Sequence, residues 1–258
     1  MRRKKQRFST LLWILLFLLI AMLLAPLARS VIGTFRLRVR PERPIDPERP
    51  MVALTFDDGP SAEWTPVILD CLEKNGAVAT FFEVGSNVDL YPELCMRAEK
   101  LGCEVGSHTY GHIDLTASDP ETIAQDRELC DRAFRNALGH SPSLLRPPGG
   151  SVNGEAKRLT DLPMIGWSVD TVDWRTRDAA ATIATVQNAG DLDGQVILMH
   201  SLYGSSAEAT EILVPWLLEQ GYQLVTVSEL MQVRYGTQPQ PHLYYAVDFF
   251  RYGTDPAA

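Results

Sequence analysis

MVALTFDDGP, residues 51–60, joins an apolar run to two adjacent acids and a turn. The MVALTF portion reads as a buried strand, and Asp57-Asp58-Gly59-Pro60 is what that strand delivers at its end. Similar apolar runs recur at VATFFEV (78–84), CEVGS (103–107), SLLR (143–146), MIGWSV (164–169), QVILM (195–199) and QLVTV (223–227). Helix-like stretches separate most of them: Ala62–Lys74, Val88–Lys100, Pro120–Leu138, Asp178–Asn188 and Ala207–Gln220. Short apolar runs alternating with amphipathic helices are the mark of parallel βα units. About seven such units in residues 51–235 predict an α/β domain, a small (β/α) barrel that is complete or nearly so. An open doubly wound sheet competes, but no strand is followed by GxGxxG.

In a βα barrel, functional groups collect where the C-terminal strand ends open on one face. Five of the runs finish in polar clusters: Asp57-Asp58-Gly59-Pro60, His108-Thr109-Tyr110-Gly111-His112, Arg146-Pro147-Pro148-Gly149-Gly150, Asp170-Thr171-Val172-Asp173-Trp174, and His200. Three of the chain's five histidines fall in this set. His108 and His112 lie four apart, which in a helical turn places both rings on one side. Two imidazoles and a carboxylate, with positions left open, make a site for Zn²⁺ or another divalent ion. Two adjacent acids at a buried strand end demand a cation or an arginine, although Asp-Gly-Pro is also ordinary turn chemistry. The Gly149, Gly150, Gly154 run lacks the Lys-Ser/Thr of a phosphate loop.

TFDDGP, SHTYGH, RPPGG, DTVDW and LMH, in this order, resemble the motifs of the polysaccharide deacetylases, carbohydrate esterase family 4. The resemblance covers roughly Met51 to Met231. It implies a deformed (β/α) barrel and a metal-dependent hydrolase that removes N-acetyl groups from N-acetylglucosamine in cell-wall glycan. It also implies roles. Asp58, His108 and His112 hold the metal, zinc or another divalent transition metal such as Co²⁺. Asp57 is the general base, paired with Arg146. His200 is the general acid, oriented by Asp173. Trp174 and Leu198 line the acetyl pocket, and the Gly149 N–H helps bind the oxyanion. Gly149 stands where the family often has an aromatic residue, and Ser201 where peptidoglycan-type members often have Asp. An O-acetyl ester hydrolase on acetylated xylan is the nearest alternative, and a catalytically silent wall-binding relative a more distant one.

Composition bounds the rest. The chain has 258 residues, 45% hydrophobic and 22% charged, with a formal charge of −8. Residues 1–50 hold 11 Lys/Arg and 3 Asp/Glu, leaving 13 basic and 29 acidic residues beyond them. A body so acidic is a poor surface for a phosphate backbone, so no nucleic-acid partner is expected. Within residues 1–30, Arg2, Arg3, Lys4, Lys5 and Arg7 precede an unbroken apolar run from Leu11 to Ala28. Such a run spans roughly 27 Å as a helix, enough to cross a membrane. It reads as a transmembrane signal-anchor rather than a cleaved signal, because cleavage after Ala28 puts Pro26 where a small residue is wanted. Basic residues flank both ends, so charge does not orient it. The compact basic tip and the wall chemistry place the catalytic domain on the extracytoplasmic side of the cell membrane.

Residues 31–50 are a Pro/Arg-rich linker. For the tail, residues 236–258, with YYAVDFFRYG, the sequence gives no ground for choosing between packing and exposure. Cys71, Cys95, Cys103 and Cys130 form no CxxC pair, and free thiols and disulfides both remain open.

Overall fold

The computed structural model describes residues 44–253. The expected span Leu11–Ala28 and most of the linker lie outside the described residues. Among the described residues no helix is long and apolar enough to cross a membrane.

The strands are β1 (Met51–Asp57), β2 (Thr80–Glu83), β3 (Glu104–Ser107), β4 (Met164–Ile165), β5 (Val169–Asp170), β6 (Val196–His200), β7 (Gln223–Leu224) and β8 (Tyr244–Tyr245). Every pairing among them is parallel. All of β1 is buried, as its near-continuous apolar run requires of a strand covered on both faces. It pairs with β2 on one side and β6 on the other, and β2 pairs with β3. From β3 the path continues through single bridges, Ser107 to Leu145 and Leu145 to Met164. The stretch that carries β4 then carries β5, which pairs with β6 and closes the ring. Strand β7 pairs with the first residues of β1, below the point where β2 joins it.

The expected SLLR strand is thus a single residue, Leu145, bridged on both sides, and MIGWSV is two short strands. Arg146 supplies the physical reason. Its guanidinium takes the carbonyls of Ile165 and Gly166, at 3.1 and 2.8 Å, which a regular ladder would have used.

The helices are α1 (Thr65–Asn75), α2 (Gly85–Leu90), α3 (Pro92–Lys100), α4 (Pro120–Leu138), α5 (Gly154–Thr160), α6 (Asp173–Thr176), α7 (Ala179–Gln187), α8 (Gly204–Glu219), α9 (Val227–Arg234) and α10 (Val247–Tyr252). The single helix expected over Val88–Lys100 is two, because Tyr91 precedes Pro92 and is barred from the helical region (φ −134°, ψ 54°). Asp119 caps α4 by accepting from the Thr122 N–H, with Pro120 as its first residue and left-handed Gly139 closing it.

The aromatic tail is built into the domain. β8 extends β4, and Tyr245, Phe249 and Phe250 are buried with Met51, Phe82 and Ile165. All four cysteines are buried free thiols. The linker's last residues dock on β7, where Gln223 exchanges hydrogen bonds with the Asp46 backbone at 2.9 and 2.8 Å.

Candidate active site

Register brings the site together. Asp57 and His200 are direct partners at the ends of β1 and β6. Thr55 and Leu198 are partners two residues earlier, so all four side chains share one face of the sheet. Asp58 follows in the left-handed region (φ 71°), and this conformation separates it from the strand and turns it toward the next loop.

Asp58 Oδ1 lies 3.3 Å from Nε2 of His108 and 3.3 Å from Nε2 of His112. The two rings meet edge to face, 5.0 Å between centroids. Asp58 Oδ1 is buried without a hydrogen-bond partner, an orphan acceptor facing two imidazole nitrogens. One ligand atom from each of these residues fits within 4.8 Å of the others. A carboxylate and two imidazoles around one point suit a divalent transition metal with positions open, so the residues present fit such an ion. His108 Nδ1 donates to the Arg146 carbonyl at 2.7 Å, which leaves Nε2 as the free lone pair. Burial opposes ionisation of Asp58, but the two histidines outweigh it and hold the carboxyl well below the usual range. The same contact raises the His112 imidazole above its ordinary value.

Beside this trio stand two charged pairs. Asp57, 2% exposed, meets Arg146, 0% exposed, at 2.7 Å. Arg146 also donates to Thr55 Oγ1 and lies over the Phe82 ring, 4.1 Å from its centroid. In the second pair, His200 Nδ1 donates to Asp173 Oδ1 at 2.8 Å. Burial disfavours a charged His200, but Asp173 more than compensates and raises its pKa. Asp173 is fully buried, and its oxygens also accept from the backbone N–H groups of Trp174 and His200 and from the Ser206 hydroxyl.

Trp174 is 45% exposed and is the second residue of α6, whose cap is the left-handed Val172, while Leu198 is buried. Gly149 sits exposed in the short turn Pro148–Gly150 with φ 62°, a conformation that favours glycine. Three further residues escaped the sequence reading. Thr55 and Ser206 orient the two pairs. Glu83 ends β2 fully buried, and burial, then the charges of Asp57 and Asp58, push its carboxyl well above the usual range. Ser206 was the most accessible of these, as a polar residue on the inner face of an apolar helix. Glu83 offered no signal beyond being an acid inside a strand-like run.

Comparison with known proteins gives a consistent picture. Residues 45–164 match the family described as polysaccharide deacetylase. The chain is 41% identical over 194 residues to the peptidoglycan-N-acetylmuramic acid deacetylase PdaC of Bacillus subtilis, covering 75% of this chain and 41% of that one. It is 38% identical over 190 residues to the peptidoglycan-N-acetylglucosamine deacetylase PgdA of Listeria monocytogenes, with 74% and 41% covered. The chain thus spans about two fifths of the length of those relatives. A solved structure described as T48 deacetylase with substrate superposes with a TM-score of 0.73 at 38% identity, covering 78% of this chain and all of that one.

Proposed function

The chain belongs to the polysaccharide deacetylase family, and we propose that it hydrolyses the N-acetyl groups of N-acetylglucosamine residues in cell-wall glycan, releasing acetate. The observation that carries this reading is the side-by-side placement of Asp57 and His200, each with its own buried charged partner, next to the Asp58–His108–His112 trio. The peptidoglycan substrates named for PdaC and PgdA support the glycan assignment.

A divalent ion held by Asp58, His108 and His112, zinc or cobalt, would polarise the acetyl carbonyl and make a water acidic near neutral pH. Asp57 takes the proton from the attacking water, and Arg146, itself held by the Thr55 hydroxyl, fixes the orientation of its carboxylate. His200 gives a proton to the departing amine, which leaves poorly without one. Asp173 holds the Nδ1–H tautomer, so Nε2 is the atom that exchanges the proton. In this reading Trp174 and Leu198 enclose the acetyl methyl and the Gly149 N–H donates to the developing oxyanion. The catalytic domain works outside the cytoplasm, tethered to the cell membrane by Leu11–Ala28.

The test is acetate release by the metal-loaded full chain from chitooligosaccharide, peptidoglycan and acetylated xylan. Acetate from either amide substrate, reduced about 10²–10⁴-fold by Asp57→Asn, is the expected result. Acetate from xylan alone would make the protein an O-acetyl esterase. No acetate from any of the three would leave a wall-binding relative.

A further inference from the structure

Between His108 and His112 the backbone N–H groups of Tyr110 and Gly111 point at one carboxylate. Asp126, on α4 and 8% exposed, accepts from Tyr110 through Oδ1 at 2.7 Å and from Gly111 through Oδ2 at 2.8 Å. The same loop is held from its other side by the start of α2. There the Gly85 and Ser86 N–H groups donate to the carbonyls of Thr109 and Tyr110 at 2.9 and 3.1 Å. Thr109 (φ 64°) and His112 (φ 53°) bracket the clamped peptides in the left-handed region, which such residues keep only when their surroundings enforce it.

The two histidines are anchored unequally. His108 is buried, with its ring tied to the Arg146 carbonyl. The His112 side chain is 48% exposed, and its contacts are Asp58 and the edge of the His108 ring. Its place is therefore set by the backbone that carries it. That backbone is held by the start of α2 on one side and by Asp126 on the other, and Asp126 takes the N–H groups of the two residues just before His112.

We propose that Asp126 is a positioning residue for the cation site: by pinning the Tyr110 and Gly111 N–H groups it holds the His112 imidazole within reach of the point shared with Asp58 and His108. The inference rests on the reading of that trio as a divalent-ion site. The chemistry of the clamp is specific. An ionised carboxylate accepts both N–H groups in strong, charge-assisted bonds. Asparagine accepts only one and turns its own NH₂ toward the other donor, while alanine leaves both unmatched.

The experiment uses the full chain and zinc alone, with the dissociation constant taken from competition with a chromogenic chelator. Urea unfolding of each metal-free variant runs in parallel. Asp126→Asn and Asp126→Ala are expected to weaken zinc binding about 10–100-fold, as loss of an outer partner of a metal ligand does elsewhere. Asp119→Ala is the reference. It uncaps the same helix, where Asp119 accepts from the Thr122 N–H at 2.8 Å, and should lower stability while leaving zinc affinity within about twofold. In a His112→Ala background, Asp126→Asn should add little, because the ligand it serves is gone. Wild-type zinc affinity in Asp126→Asn overturns the inference, as does an equal loss in Asp119→Ala or full additivity with His112→Ala. A wild-type chain that takes up no zinc removes the cation reading and this inference together, whereas tight wild-type binding unchanged by Asp126→Asn removes the inference alone.

Discussion

Arg146 shows how one residue can carry both fold and chemistry. A guanidinium at 0% exposure is expensive unless its nitrogens find acceptors, and here Asp57, Thr55 and the carbonyls of Ile165 and Gly166 give each of the three at least one. The family resemblance paired Arg146 with Asp57 and so implied an electrostatic role, but its bonds to two backbone carbonyls, where the ladder lapses, make it structural as well. Arg146→Ala strands the buried Asp57, so urea unfolding should report a loss of about 3–5 kcal/mol. Arg146→Lys should not restore it, because an ammonium cannot span the same fork of acceptors. Wild-type stability in either variant would refute the account. The other pair sets a pH dependence. Burial pushes the His200 pKa down, while Asp173, with smaller contributions from Asp57 and Asp58, pushes it up, and the net shift is upward. If protonated His200 is the acid, activity falls as pH rises through that raised value. Asp173→Asn removes the dominant raising partner, so the alkaline limb of kcat should move to lower pH. A limb that stays or moves upward would count against His200 as the acid. The clustering of Asp57, Asp58, His108, His112 and His200 could be anticipated because each lies at or just beyond the end of a strand-like run. The roles of Thr55, Ser206 and Asp126 could not, since common polar residues gain meaning only from partners distant in the chain.

At the scale of elements, the strand-like runs were readable where burial alone decides, as in β1 and β6. They were misjudged where a distant side chain intervenes: the MIGWSV run breaks because Arg146 occupies its carbonyls, and no periodicity within residues 164–169 encodes that. Pro92 is the opposite case, a local signal that splits the expected helix at Tyr91. The C-terminal segment depends wholly on long-range pairing. β8 adds to β4, α10 follows, and Tyr235 and Gln195 both donate to the Phe250 carbonyl, at 2.7 and 3.2 Å. Phe250 is 1% exposed, against Tyr235 and Phe249 edge to face. Its truncation to alanine should therefore cost about 3–5 kcal/mol in urea unfolding, the range for a buried aromatic side chain. A loss below about 1 kcal/mol would mean that the segment folds back without supporting the core.

Over the whole molecule the charge is divided. The first 50 residues are strongly basic and the remainder strongly acidic, a contrast plain in the sequence and independent of any strand assignment. The acidic part includes the catalytic domain, which anionic lipid headgroups would repel rather than attract. Two forces could then hold the chain on a membrane: the basic residues at its start, by attraction to lipid charge, or the apolar run Leu11–Ala28, by insertion. Salt separates them, because the screening length falls to about 3 Å at 1 M and exposed charge pairs lose their grip. Burial of eighteen apolar residues does not weaken in salt. The proposed anchor thus predicts that the full chain stays with membranes through a 1 M salt wash and leaves them only in detergent. Deletion of residues 11–28, which keeps Arg2, Arg3, Lys4, Lys5 and Arg7, should yield protein that the wash releases. Release of the intact chain by salt would show that charge alone holds it. A soluble product whose N-terminus is Arg29 would instead show that the run is a signal removed by cleavage.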